Sequence, residues 1–130
     1  MELDEFFGGQ AQSRKLFDAL REAVESIGPA ELRVTKSQVA FCRRTASLRR
    51  TASLRRRAFA WAWRPGQYLR GQTAPLVLTV GLRRRDASPR WKQIVAPAPG
   101  RFTHHLELYA REDIDDEVRG WLHEAWEAAS

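Results

Sequence analysis

Residues 75–82 read Pro-Leu-Val-Leu-Thr-Val-Gly-Leu, a nearly continuous apolar run of strand length. Such a run predicts a central strand covered on both faces, since a strand with one wet face would alternate. On its N-terminal side, residues 58–63 read Ala-Phe-Ala-Trp-Ala-Trp. That period of two predicts a strand with Phe59, Trp61 and Trp63 on one face and three alanines on the other. Leu32 to Lys36 and Gln38 to Arg43 are short, alternating and partly β-branched, and read as strands. On the C-terminal side, Trp91 to Val95 is a short strand closed by Pro97, Pro99 and Gly100. His104 to Ala110 alternates, with His104, Leu106 and Leu108 on one face and His105, Glu107 and Tyr109 on the other. Arg64-Pro65-Gly66 and Arg83 to Pro89 are turns, so consecutive strands form an antiparallel meander.

Two helices flank this strand region. Between Gln10 and Ile27, the positions of Leu16, Phe17, Leu20, Ala23, Val24 and Ile27 make one buried stripe at helical spacing. Ser13 is a candidate cap at its start, and Gly28-Pro29 stops it, glycine accepting a left-handed cap. The acidic leader Met1 to Phe7 either frays or docks Phe6 and Phe7 on the body. The last helix starts near Asp113 as N-cap, with Asp115, Asp116 and Glu117 in a first turn where the helix dipole favours anions. Its stripe is Val118, Trp121, Leu122, Ala125, Trp126 and Ala129. The fold class is α+β: an antiparallel sheet of about five strands with N- and C-terminal helices packed on one face.

The chain has 130 residues, 43% hydrophobic and 29% charged, which suits one folded domain over 1–130 and argues against a disordered chain. No apolar run approaches the roughly 18 residues that span a bilayer, and Met1 leads into Glu2, Asp4 and Glu5 and not into a secretory segment. The single cysteine, Cys42, cannot make an internal disulfide. These features point to the cytoplasm, with no membrane as a partner.

The net charge of +6 would usually suggest an anionic partner. From Thr45 to Arg56, however, the chain reads Thr-Ala-Ser-Leu-Arg-Arg twice, and these twelve residues carry four arginines and no acid, leaving +2 for the rest. Two copies of six residues are too few and too short for a solenoid. The repeat at 45–56 reads as an insertion at the tip of a hairpin, where added length is tolerated. Each copy also sets arginines at the third and fourth positions before a serine and a leucine after it, around Ser47 and Ser53. This makes both serines candidate phosphorylation sites for a basophilic kinase, although a duplicated arginine-rich loop produces the same pattern without any such role.

Val34-Thr35-Lys36 before a Val-Ala-Phe strand, Phe59-Ala60-Trp61, Pro75-Leu76-Val77-Leu78, Trp91-Lys92, His104-His105-Leu106-Glu107-Leu108 and the closing Asp115 to Leu122 segment together resemble a bacterial domain-of-unknown-function family, numbered 5655. The resemblance covers almost the whole chain, the repeat excepted, and the family is itself distantly similar to YdhG-like α+β domains. It implies a fold and no biochemical activity.

Neighbouring His104 and His105 point to opposite strand faces and cannot share an ion. His105 with Glu107 supplies two ligands where zinc needs three or four, so no metal is expected. No phosphate-binding glycine loop and no nucleophile elbow is present, so no catalytic residue and no cofactor is assigned and an enzyme is not favoured. The five tryptophans are more informative. Phe59, Trp61 and Trp63 either line the helix-covered core, the commoner use of large aromatics, or form an open platform with the alanines under the helices. The leading expectation is a binding or accessory module for a small ligand or protein partner. Its candidate ligand-binding residues are Lys36, Trp61, Trp63, Lys92, His105 and Glu107. The alternative is a nucleic-acid binder using the arginine-rich hairpin as an electrostatic arm, with weak, sequence-independent affinity.

Overall fold

The computed structural model describes residues 1–45 and 55–130. A short helical turn α1 (Leu3–Phe6) precedes α2 (Ala11–Ile27). Strands β1 (Glu31–Val34), β2 (Val39–Thr45), β3 (Arg55–Trp63), β4 (Leu76–Leu82), β5 (Gln93–Ala98) and β6 (Arg101–Leu108) follow, and α3 (Asp116–Ala128) closes the chain. All strand pairs are antiparallel and the sheet order is β1-β2-β3-β4-β6-β5, six strands against the about five that the patterning predicts. The α+β class with helices on one face stands. No helix among the described residues is long and apolar enough to cross a membrane.

The predicted meander is broken at one point. β4 pairs with β6, and β5 lies outside β6 at the sheet edge, so the 83–92 connection must pass over β6. It is pinned there from both ends. Arg84 pairs with Glu124 of α3 at 2.9 Å and with Asp86, and Arg90 pairs with Asp115 and Glu117. Trp91 is buried against Trp121, ring centroids 4.1 Å apart, and its indole N–H donates to Asp86. Although burial opposes ionisation of Asp86, the donors Trp91, Ser88 N–H and Arg84 hold its carboxyl at about 2. Trp91 is therefore a core ring under α3, and no part of an aromatic platform.

The largest departure from the sequence pattern lies in β3. Phe41 pairs with Ala60 but Cys42 pairs with Ala58, so Phe59 is an extra residue, a β-bulge. The bulge puts Phe59 and Ala60 on the same side. Phe59 is 2% exposed within the core under the helices, and Ala60 and Ala62 are buried with it. Trp61 and Trp63 are thrown onto the opposite face, which no helix covers, where they are partly exposed. The expected grouping of Phe59 with Trp61 and Trp63 is thus corrected, because one unpaired residue reverses the phase of everything after it.

Beneath the helices, Phe17 stacks on Phe41 at 5.7 Å, and Leu20, Val24, Val118 and Leu122 meet Leu76, Leu78 and Val80. The small Ala60 and Ala62 let the helices lie close to the sheet. β4 is buried along nearly its whole length, as predicted, yet its second face is screened by side chains of the flanking strands and not by another layer. Phe6 and Phe7 of the leader dock in the core.

Three helix ends differ from expectation. Gln10, not Ser13, is the N-cap of α2, and Ser13 Oγ donates to the Pro75 carbonyl at 2.7 Å, tying the helix to β4. Gly28 is extended (φ 176°), not left-handed. Glycine is needed because an added Cβ would stand 2.4 Å from the Trp126 ring. Asp115, not Asp113, caps α3 by accepting from Val118 N–H, while Asp113 accepts from the Tyr109 and Ala110 N–H groups.

Candidate functional site

The uncovered face of the sheet carries rows of side chains fixed by register. Trp61 of β3, Thr79 of β4, His105 of β6 and Gln93 of β5 lie side by side, and Trp63, Val77 and Glu107 form the next row. Trp63 Nε1–H donates to Thr79 Oγ1 at 3.0 Å, and Thr79 Oγ1 stands 2.7 Å from His105 Nδ1. The Trp63 and His105 rings meet edge to face, centroids 6.2 Å apart.

Burial, with the neighbouring His104, pushes the His105 pKa down, so the imidazole is neutral at neutral pH. Thr79 Oγ1 accepts from Trp63 and keeps a second lone pair and a hydroxyl proton, so its 2.7 Å bond with His105 Nδ1 suits either direction of donation. His105 Nε2 has no partner among the described residues, so a ring nitrogen held in a fixed orientation beside Trp63 is left for something outside the chain.

These groups line an open groove of about 420 Å³, bounded by Gln38, Trp61, Trp63, Tyr68, Thr79 and His105. Tyr68 sits on the loop after β3 and is 60% exposed. Of the six candidate ligand-binding residues, the fold brings Trp61, Trp63 and His105 together. Lys92 and Glu107 lie on the same side one row along, where they neutralise each other in an ion pair of 3.0 Å. Lys36 is on the β1–β2 turn, exposed and outside the groove, its carbonyl accepting from Gln67. Ser47 and Ser53 lie outside the described residues. Thr79, Tyr68 and Gln38 escape the sequence reading. Thr79 alone left a trace, as the one hydroxyl inside the apolar run 75–82.

His104 faces the other way. It is fully buried, its Nε2 accepts from Asp86 N–H at 3.0 Å and its Nδ1 lies 3.2 Å from the Phe102 carbonyl. Burial pushes its pKa down. Cys42 is also buried, which pushes its thiol pKa up, away from a reactive thiolate. Among the described residues no three His, Cys, Asp or Glu side chains converge as metal ligands.

No curated protein and no solved structure matches the chain. A family model described as a domain of unknown function, DUF5655, matches residues 3–129, the span that holds both the helix-covered core and the open tryptophan face. By that match the chain belongs to the DUF5655 family.

Proposed function

We propose that this chain is a binding module whose ligand surface is the uncovered sheet face around Trp61, Trp63 and His105. The observation that carries the reading is the pair of partly exposed tryptophans beside a histidine whose Nε2 has no hydrogen-bond partner among the described residues. Tryptophan is normally withdrawn from water, and the same chain buries Trp91 and Trp121. Two indoles kept on an open face next to an oriented imidazole nitrogen suit a planar, partly apolar ligand with a hydrogen-bonding group on its edge. We take the module to act in the cytoplasm as an accessory domain, the support being its lone, buried thiol.

The test is a fluorescence titration of the full chain with free nucleosides and with indole as planar probes. Trp61→Phe and Trp63→Phe variants assign the signal, since Trp91, Trp121 and Trp126 also emit. A saturable response that disappears in a Trp61→Ala/Trp63→Ala variant with unchanged far-UV circular dichroism supports the reading. A saturable response that survives in that variant, or none to any planar probe, refutes it.

A further inference from the structure

Beyond the rung Ala60–Val80, β3 has no partner in β4, although β3 itself runs back to Arg55. Where β3 outruns β4 a second groove opens, of about 690 Å³, and arginines from three strands and a loop surround it: Arg33, Arg56, Arg57, Arg83 and Arg101. Trp61 and Thr103 border this groove and the tryptophan groove alike, so the two are continuous. Gly81 makes the junction. The Trp61 ring lies over it, at ordinary contact distance (3.5 Å) from where a Cβ would stand, between the two grooves.

The charges at this end of the sheet are not balanced internally. Glu31 pairs with Arg44 and Arg56 at 3.0 and 2.8 Å. No carboxylate among the described residues pairs with Arg33, Arg57 or Arg101, Arg83 donates to the Ala128 carbonyl, and residues 46–54 contain no acid. Clustered guanidinium groups repel one another unless an anion lies among them, and arginine is the side chain best matched to phosphate. Arg57, opposite Arg43 and so on the helix-covered face, lines this groove at the β3 edge that β4 leaves open, six residues, about 20 Å of strand at ~3.3 Å per residue, from Trp63. A cationic stretch and an aromatic stretch along a track of that length match a polymer that carries a negative charge and a ring in every unit.

We propose that the occupant of this track is a single-stranded nucleic acid, its bases stacked on Trp61 and Trp63 and its phosphates held by Arg33, Arg57, Arg83 and Arg101. The proposal rests on the binding face argued above and names what that face binds. Unpaired bases are required, because a duplex hides its ring faces inside its own stack.

The experiment is fluorescence anisotropy of labelled 12-nucleotide thymidine and uridine single strands with the full chain, against a duplex of equal length and against polyglutamate as competitor. Four phosphate contacts predict an affinity falling about 50-fold between 50 and 200 mM salt. Replacing all four arginines by glutamine should abolish most of that salt dependence. A triple variant that keeps Arg83 preserves the bond to Ala128 and should remove about three quarters of it. Trp61→Ala should lower affinity at least fivefold at every salt concentration with the slope unchanged, and Trp61→Phe, which keeps a ring, should restore binding to within about threefold. Equal or tighter binding of the duplex, equal competition by polyglutamate, or arginine variants that bind with the parent's salt slope would overturn the proposal. If no oligonucleotide binds while free nucleosides still quench Trp61 and Trp63, the polymer is wrong and the binding face stands. If neither responds, both fall.

Discussion

The bulge at Phe59 makes an asymmetric prediction for two neighbouring aromatic positions, Phe59→Lys and Trp61→Lys. In a strand of unbroken alternation the two residues share a face and the substitutions cost alike. With Phe59 displaced under the helices, Phe59→Lys forfeits a buried ring worth about 2–3 kcal/mol and strands an ammonium beneath α2 and α3 at several kcal/mol more. The sum exceeds about 5 kcal/mol, comparable with the whole stability of a typical domain, so this variant should lose cooperative unfolding. Trp61→Lys is different in kind. On the uncovered face the ammonium reaches water while its methylene stem covers part of the strand the indole covered. The expected loss is about 1–2 kcal/mol, or roughly 4–8 °C in Tm for a chain of this length. Urea unfolding followed by far-UV circular dichroism measures both, with the slope m checking that each variant unfolds from the same state. A Trp61→Lys chain as damaged as Phe59→Lys would show that β3 carries no bulge and that the open tryptophan face does not exist.

The other predictions concern the body of the fold. Gly28→Ala should cost about 1.5–3 kcal/mol, because its Cβ would sit 2.4 Å from the Trp126 ring. Displacing that ring breaks its N–H bond to the Pro29 carbonyl and its stacking with Arg43, 3.6 Å away. In a Trp126→Ala background the same substitution should be nearly free, and an undiminished cost there would refute the assignment. Stability should fall as pH drops below about 6.5, the unfolded histidine value. His104 and His105 both have depressed pKa values in the fold, so the unfolded chain binds more protons. Each contributes a slope approaching about 1.4 kcal/mol per pH unit, and for His104 the added proton displaces the Asp86 N–H bond. Urea midpoints from pH 8 to 5 that stay flat would contradict this. Deleting residues 46–51, one copy of the repeat, leaves every β2–β3 rung up to Thr45–Arg55 in place with a three-residue connection. Closing a loop of three residues in place of nine is favourable by up to about 1 kcal/mol, so Tm should hold or rise slightly. A drop of more than about 5 °C would show that the repeat supports the core.

Much of this architecture is carried by local pattern. The helical stripe from Leu16 to Val24, the apolar run of β4 and the alternation of β6 each depend on side-chain period alone, so their element types, buried faces and the opposite facing of His104 and His105 follow from order along the chain. The antiparallel pairing of β2 with β3 on either side of residues 46–54 is legible for the same reason. What required the tertiary structure are matters of phase and of long-range contact. Ala-Phe-Ala-Trp-Ala-Trp has one period, and nothing in it marks Phe59 as the residue without a partner. That is settled by Phe41 and Cys42 across the hairpin and by the helices that take up the phenyl ring. The extended Gly28 depends on Trp126 nearly a hundred residues later, and the passage of the 83–92 connection over β6 depends on Arg84 and Arg90 finding acids on α3 and at its N-terminus. Trp61, Trp63 and His105 were each recognisable as unusual residues in the sequence. That they share a face with Thr79 between them follows from strand register, which pairs residues on physical fit across the sheet and not on distance along the chain.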